Sequence, residues 1–269
     1  MSAGTGAYFD THTHLTDPRF DADRDEVLAR AAAAGVARLV EIGDCPEDWP
    51  RVLALARSRP ETVRCALGLH PYYAERCSDE LLARLEREAA LPEVVAIGEL
   101  GLDYARGPAA PEIQKSALRR LLAACRRWDK PVVIHCREAY GDLRTAIAEF
   151  SPSLPRERRF WGVVHCFSGT PEDAEFCAAA GLAIGADGPA TYPKNAALRE
   201  AFRRVGPSVT VLETDSPYLP PQSCRGQRNE PRSVPEIAAA LAEVWKLPVA
   251  EAARQTSVNA AALFRLAER

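Results

Sequence analysis

Apolar runs of four to six residues, rich in Val, Ile, Leu and Ala, recur along the chain at 8–11, 38–42, 64–69, 94–98, 131–135, 162–165, 182–185 and 209–214. Runs this short, bounded by turn residues, predict buried strands. Between them lie segments with helical punctuation. Segment 21–34 stops at Gly35, and Pro46 opens a segment with Glu47 and Asp48 in its first turn. Ser78 precedes Asp79 and Glu80, and Thr170-Pro-Glu-Asp173 begins a helix that stops at Gly181. Ser233-Val-Pro-Glu236 has capping-box spacing ahead of 237–245, and a last helix over 249–267 is expected to close the barrel. Strands alternating with helices imply a parallel sheet. Eight such repeats predict an α/β fold, a (β/α)8 TIM barrel forming one domain over 1–269. No Gly-x-Gly-x-x-Gly follows the first run, which speaks against a dinucleotide-binding sheet.

A parallel barrel brings the C-terminal ends of all its strands to one face, so residues far apart in sequence meet there. All five histidines follow such runs: His12 and His14 in Phe-Asp-Thr-His-Thr-His, His70 in Leu-Gly-Leu-His-Pro, His135 in Val-Val-Ile-His-Cys and His165 in Val-Val-His-Cys-Phe. Glu99 and Asp215 end two more. A single histidine at a strand end is ordinarily a hydrogen-bonded neighbour of a carboxylate or carbonyl. Six residues on one predicted face, His12, His14, Glu99, His135, His165 and Asp215, instead make the donor set of a divalent-metal site that activates water. His12 and His14, two apart on a strand, share a face.

Composition narrows the substrates. The formal charge of −3 gives no global basic field, so phosphate recognition must rest on local groups or metal ions. With 47% apolar residues the chain can bury a sizeable core. No charged-then-apolar leader and no apolar run near the roughly 20 residues of a membrane span is evident, so a cytoplasmic protein without membrane association is expected. The eight cysteines show no C-x-x-C pair and read as buried small apolar residues or idle thiols. Cys136 and Cys166 follow His135 and His165; strand alternation predicts that both sulfurs face the helices.

Seven motifs together resemble the TatD family of metal-dependent deoxyribonucleases, a branch of the amidohydrolase-type barrel hydrolases. They are Phe9-Asp-Thr-His-Thr-His14, Gly68-Leu-His-Pro71, Gly98-Glu-Leu-Gly-Leu-Asp-Tyr104, Val133-Ile-His-Cys-Arg137, His165-Cys-Phe-Ser-Gly169, Glu213-Thr-Asp-Ser-Pro-Tyr-Leu219 and Arg225-Gly-Gln-Arg-Asn-Glu-Pro231. The resemblance implies two divalent ions, one held by His12, His14 and Asp215, a second by His135 and His165, with Glu99 bridging. Imidazoles suit zinc, manganese and iron; magnesium prefers oxygen, and the resemblance keeps it in play alongside manganese and zinc. Asp215 is placed to accept a proton from the attacking water, a combined ligand and general-base role.

Further residues in these motifs are candidate substrate contacts. His70 is read as touching a phosphate or protonating a leaving oxygen, against an ordinary loop start at Pro71. Arg137 offers a fork to phosphate, against a salt bridge with Glu138 or Asp142. Asp103 orients a ligand or holds the loop after strand four. Asn229 and Glu230, interleaved with Arg225, Arg228 and Arg232, favour loop bracing over nucleic-acid contact. Tyr72 and Tyr73 either stack on an unpaired base or pack on the rim.

The expected activity is hydrolysis of DNA phosphodiesters, in the 3′-5′ direction from single-stranded or frayed 3′ ends as the resemblance implies, with no obligatory protein partner. The alternative is an ester or amide hydrolase of the same superfamily, acting on aminoacyl-tRNA or a small metabolite, because water activation is indifferent to the electrophile. A noncatalytic metal-binding scaffold is the third reading, and the complete donor set speaks against it.

Overall fold

A computed structural model describes residues 8–150 and 158–267. Its eight strands are β1 (Tyr8–Thr13), β2 (Val36–Gly43), β3 (Val63–Leu67), β4 (Val94–Asp103), β5 (Val132–Arg137), β6 (Gly162–Val164), β7 (Leu182–Ala186) and β8 (Thr210–Leu212). They pair in chain order, each neighbour parallel to the last. The ring closes just past β8, where Asp215 N donates to His12 O at 3.0 Å and His14 N to Ser216 O at 2.8 Å. The expected (β/α)8 architecture is therefore what the chain adopts.

The surrounding helices are α1 (Arg24–Ala33), α2 (Trp49–Ser58), α3 (Asp79–Ala89), α4 (Pro111–Trp128), α5 (Tyr140–Phe150), α6 (Pro171–Ala179), α7 (Ala196–Val205), α8 (Val234–Trp245) and α9 (Val249–Phe264). Ser78 caps α3 by accepting from Leu81 N, and Thr170 with Asp173 forms a reciprocal capping box on α6. The box expected at Ser233 does not form. Ser233 makes no capping bond, because a 3-10 turn (Pro231–Ser233) runs into α8, and Glu236 accepts from Ser223 instead. Helix α4 begins at Pro111 after Ala110 with no side-chain cap, and Asn195 ahead of α7 makes no capping bond. No helix among the described residues is long and apolar enough to cross a membrane.

Inside the barrel Phe9, Val40, Val133, Val163 and Val211 pack with Ala260, Leu263 and Phe264 of α9. Thus α9 plugs the N-terminal end of the strands and leaves their C-terminal ends open. A larger apolar layer, including Leu39, Leu67, Ile97, Leu100, Ile134 and Cys136, lies between strands and helices. Register shifts adjust which residues face inward, two of them beside the open end. From Asp10 to Thr13 β1 advances three residues while β2 advances two, Leu39 to Glu41. One extra residue reverses the in–out phase, so Phe9 fills the interior and His12 still turns into the open end. The same happens in β4, where Ile97 to Leu100 spans Val132 to Ile134. That bulge carries Glu99.

Candidate active site

Glu99 lies at the centre of the open end, 3% exposed, with its two carboxylate oxygens facing different groups of imidazoles. Its Oε1 is 2.6 Å from His165 Nε2, 2.7 Å from His135 Nδ1 and 3.5 Å from His70 Nε2. Its Oε2 is 3.3 Å from His12 Nε2. Asp215 Oδ1 approaches His14 Nε2 at 3.2 Å and His12 Nε2 at 3.6 Å, and the two Nε2 atoms are themselves 3.1 Å apart. Close approach to β4 requires glycine at Gly101, whose φ is +151° and where a Cβ would fall 1.9 Å from His135 O.

The expected strand ends are redrawn in three places. Glu99 and Asp103 lie within β4, which runs on to Asp103 because it keeps pairing with β5 as far as Arg137. His165 and Asp215 lie beyond β6 and β8, which stop at Val164 and Leu212. This overturns the alternation argument for Cys166: with the strand ended and φ at 43°, its sulfur turns in beside His165 and Glu213, while Cys136 packs in the layer between strands and helices as expected.

Charge is divided unevenly among the imidazoles. Burial pushes His12 down to about 4 and His70 to about 3, so both are neutral near pH 7. Burial also opposes charge on His135, but hydrogen bonds to Asp103 and Glu99 outweigh it and raise the ring to about 9. At His14 burial is likewise overcome, by Asp44, Asp215 and Glu99, which hold it well above its usual value. Glu99 and Asp215 are buried, which opposes their ionisation, yet the surrounding histidines keep both carboxyls below their ordinary values.

The arrangement fits a divalent cation. His12 Nδ1 and His165 Nδ1 are buried with no hydrogen-bond partner. Donor atoms of His12, His14 and Asp215 lie within 4.8 Å of one another, as do those of His12, Glu99 and His165 and those of His70, Glu99 and His135. Asp103 Oδ2 takes His135 Nε2 at 3.1 Å, orienting that ring so its Nδ1 points inward. Asp103 Oδ1 accepts from Ala105 N and Arg106 N, so the same carboxylate ties the loop after β4.

The remaining candidates separate. His70 joins the cluster, its Nδ1 accepting from Tyr72 N at 3.2 Å, which leaves Nε2 as the protonated nitrogen. Tyr72 packs edge-on against His70 with centroids 4.4 Å apart, and Tyr73 lies near Arg76. Arg137 makes no ion pair with Glu138 or Asp142; Asp142 is taken by Tyr104 and Lys115. Arg228 pairs with Asp23 and Glu230, Arg232 with Glu230, and Arg225 stacks on Tyr192, which is loop bracing.

Several buried carboxylates escaped the sequence reading. Asp10 accepts from Thr214 N at 3.0 Å and Thr214 Oγ1 at 2.6 Å, joining β1 to the chain after β8. Glu41 accepts from Leu15 N, Thr16 N and Thr13 Oγ1 and so fixes the loop after β1. Glu213 accepts from Cys166 N and Thr11 Oγ1, in space that only Gly185 leaves free. Half-buried Asp44 stands 3.9 Å from His14 Nδ1. Asp10 and Glu213 sat inside the quoted motifs; their position two residues before a candidate donor was the available signal.

Beyond the cluster a cavity of about 640 Å³ opens between the segments at the C-terminal ends of β4 to β8. Over residues 9–265 the chain matches the family model described as TatD related DNase. The chain belongs to that family. The 3'-5' ssDNA/RNA exonuclease TatD of Erwinia billingiae is 38% identical over 263 residues, covering 96% of this chain and 99% of that protein. An uncharacterized metal-dependent hydrolase, YabD of Bacillus subtilis, is 33% identical over 96% of this chain and 99% of its own length. The crystal structure of YjjV, a TatD homologue from Escherichia coli K12, superposes with a TM-score of 0.88 at 34% identity, over 97% of this chain and 98% of that one. The TatD-family barrel thus carries the cluster and its cavity.

Proposed function

We propose that this chain is a divalent-metal-dependent phosphodiesterase that trims single-stranded nucleic acid, DNA above all, from 3′ ends. The observation that carries the reading is Glu99, whose Oε1 faces His135 and His165 and whose Oε2 faces His12, beside a cavity lined by His135, His165 and Asp215. In this reading His12, His14 and Asp215 would hold one ion and His135 and His165 a second, with Glu99 available to both; manganese, zinc and magnesium are the candidates. When bound, such ions lower the pKa of water and neutralise charge on the attacked phosphate.

The chain's own groups do the rest. Asp215, ionised and on the cavity wall, accepts the proton of the attacking water. Neutral His70 is a poor acid near pH 7, so its role is to donate through Nε2 to Glu99 or to a phosphate oxygen. Arg137 lines the cavity and offers its fork to the phosphate. Asp103 positions His135. The eight cysteines are all free thiols, the form a reducing compartment keeps, and the cytoplasm is part of the proposal.

End-directed cleavage is the sharpest element to test. Given linear and circular single-stranded DNA of equal length, each with manganese, zinc or magnesium, the loaded protein should release mononucleotides from the linear strand and leave the circle intact. Equal degradation of the circle replaces the exonuclease with an endonuclease.

A further inference from the structure

The cavity is larger than the cluster beside it needs, and its walls carry positive charge that no described carboxylate pairs with. Most described arginines and lysines are tied down: Arg30 to Glu230, Arg204 to Glu172, Arg199 to the carbonyls of Ala190, Tyr192 and Pro193. Arg106, Arg137 and Lys194 make no ion pair with any described residue, and all three line this one cavity. Arg106 follows β4 and Arg137 ends β5. Lys194 stands across from them, between β7 and α7, beside Asn195, whose side chain bonds Pro189 O and leaves the first turn of α7 uncapped toward the same space.

Apolar surface accompanies the charge. Tyr218 is 46% exposed and Leu219 36%, and both line the cavity. Arg19 stacks 4.3 Å over the Tyr218 ring, holding it in place. Unpaired cations beside an exposed aromatic suit a chain of phosphates and unstacked bases, since cations track the backbone and aromatics take any base by its face.

Deepening the phosphodiesterase reading, on which it rests, we propose that Lys194 and Tyr218 form a subsite for the nucleotide next to the one being removed. Lys194 holds the neighbouring phosphate, Tyr218 and Leu219 take its base, and Arg137 with Arg106 serves the phosphate nearer the cluster. The strand therefore leaves the site toward α7. Substrates with one phosphodiester reach the cluster without engaging Lys194.

Binding in chelator tests this free of turnover, by fluorescence anisotropy of 5′-labelled thymidine dinucleotide and hexanucleotide over a series of salt concentrations. Lys194→Ala should weaken the hexanucleotide about tenfold, shift the dinucleotide much less, and reduce the salt slope for the hexanucleotide by about one. Tyr218→Ala should show the same length dependence with the slope kept. Lys246→Ala, which removes the same charge from an exposed site at the C-terminal end of α8, should change nothing. Unchanged hexanucleotide binding by Lys194→Ala, or equal weakening of both lengths, overturns the subsite. A loaded wild type that leaves the strand uncut, while Lys194→Ala still costs length-dependent affinity, keeps the subsite and removes the nuclease reading.

Discussion

At the N-terminal end of the barrel Phe264 of α9 meets Phe9 of β1 with ring centroids 5.8 Å apart, packed with Val40, Val163 and Val211. At the other end β1 and β4, together with the connection after β8, hold His12, Glu99 and Asp215, nearly as deeply buried but charged or polar. One end releases free energy by taking apolar surface from water, the other spends it by gathering like charges and unpartnered nitrogens. A barrel of parallel strands allows this division because every strand has one end in each region. Stability and chemistry are thereby separable by mutation.

The largest effect is expected at Glu99. Among the described residues Glu99 is the carboxylate that faces His135 and His165 with one oxygen and His12 with the other, so in Glu99→Ala bound metal and turnover should vanish together. In chelator the variant should lose less stability than a change at the plug. Elemental analysis showing full metal occupancy in Glu99→Ala would refute its shared position between two ions.

The converse change is Phe264→Ala. Removing a ring that is 3% exposed leaves a cavity against Phe9 and should cost about 3–5 kcal/mol in denaturant unfolding. Turnover per folded molecule should stay within about twofold, because the plug touches no residue of the cluster. A loss of turnover matching Glu99→Ala would mean that the two ends are coupled through the barrel.

How much of this division could be read from the chain depends on periodicity. The eight apolar runs, and the fact that histidines and carboxylates follow them, carry the barrel and the convergence of His12, His14, Glu99, His135, His165 and Asp215, because parallel strands leave no other meeting place. The bulges after Asp10 and Ile97 were invisible: an extra residue in one strand has meaning only against its neighbour's register. Cys166 was misplaced for a related reason, since alternation applies only while a strand lasts and β6 ends two residues earlier. Buried braces such as Glu41 look like any acidic residue until the backbone N–H groups of Leu15 and Thr16 are seen to point at it. The spare cation at Lys194 needs the whole ion-pair pattern before it stands out.

The smallest effect concerns protons at the polar end. In the metal-free protein His135 is held at about 9 and His14 well above its usual value, so both are imidazolium at pH 7. His12, pushed down to about 4, is already neutral. A metal takes only the neutral ring, so loading at pH 7 should expel about two protons, and affinity should rise with pH until His135 titrates near 9. For the metal-free fold the sign is opposite: raised histidine pKa values stabilise it fully below the ordinary value of 6.5, and that contribution fades as pH climbs through about 9. Asp103→Asn removes the carboxylate that faces His135 Nε2 and lets burial pull that ring down, so the count should drop by about one. Calorimetric titration of metal in buffers of different ionisation enthalpy reads the number directly. Near-zero release from the wild type would mean that His14 and His135 are neutral before metal arrives; an unchanged count in Asp103→Asn would transfer the hold on His135 to Glu99 alone.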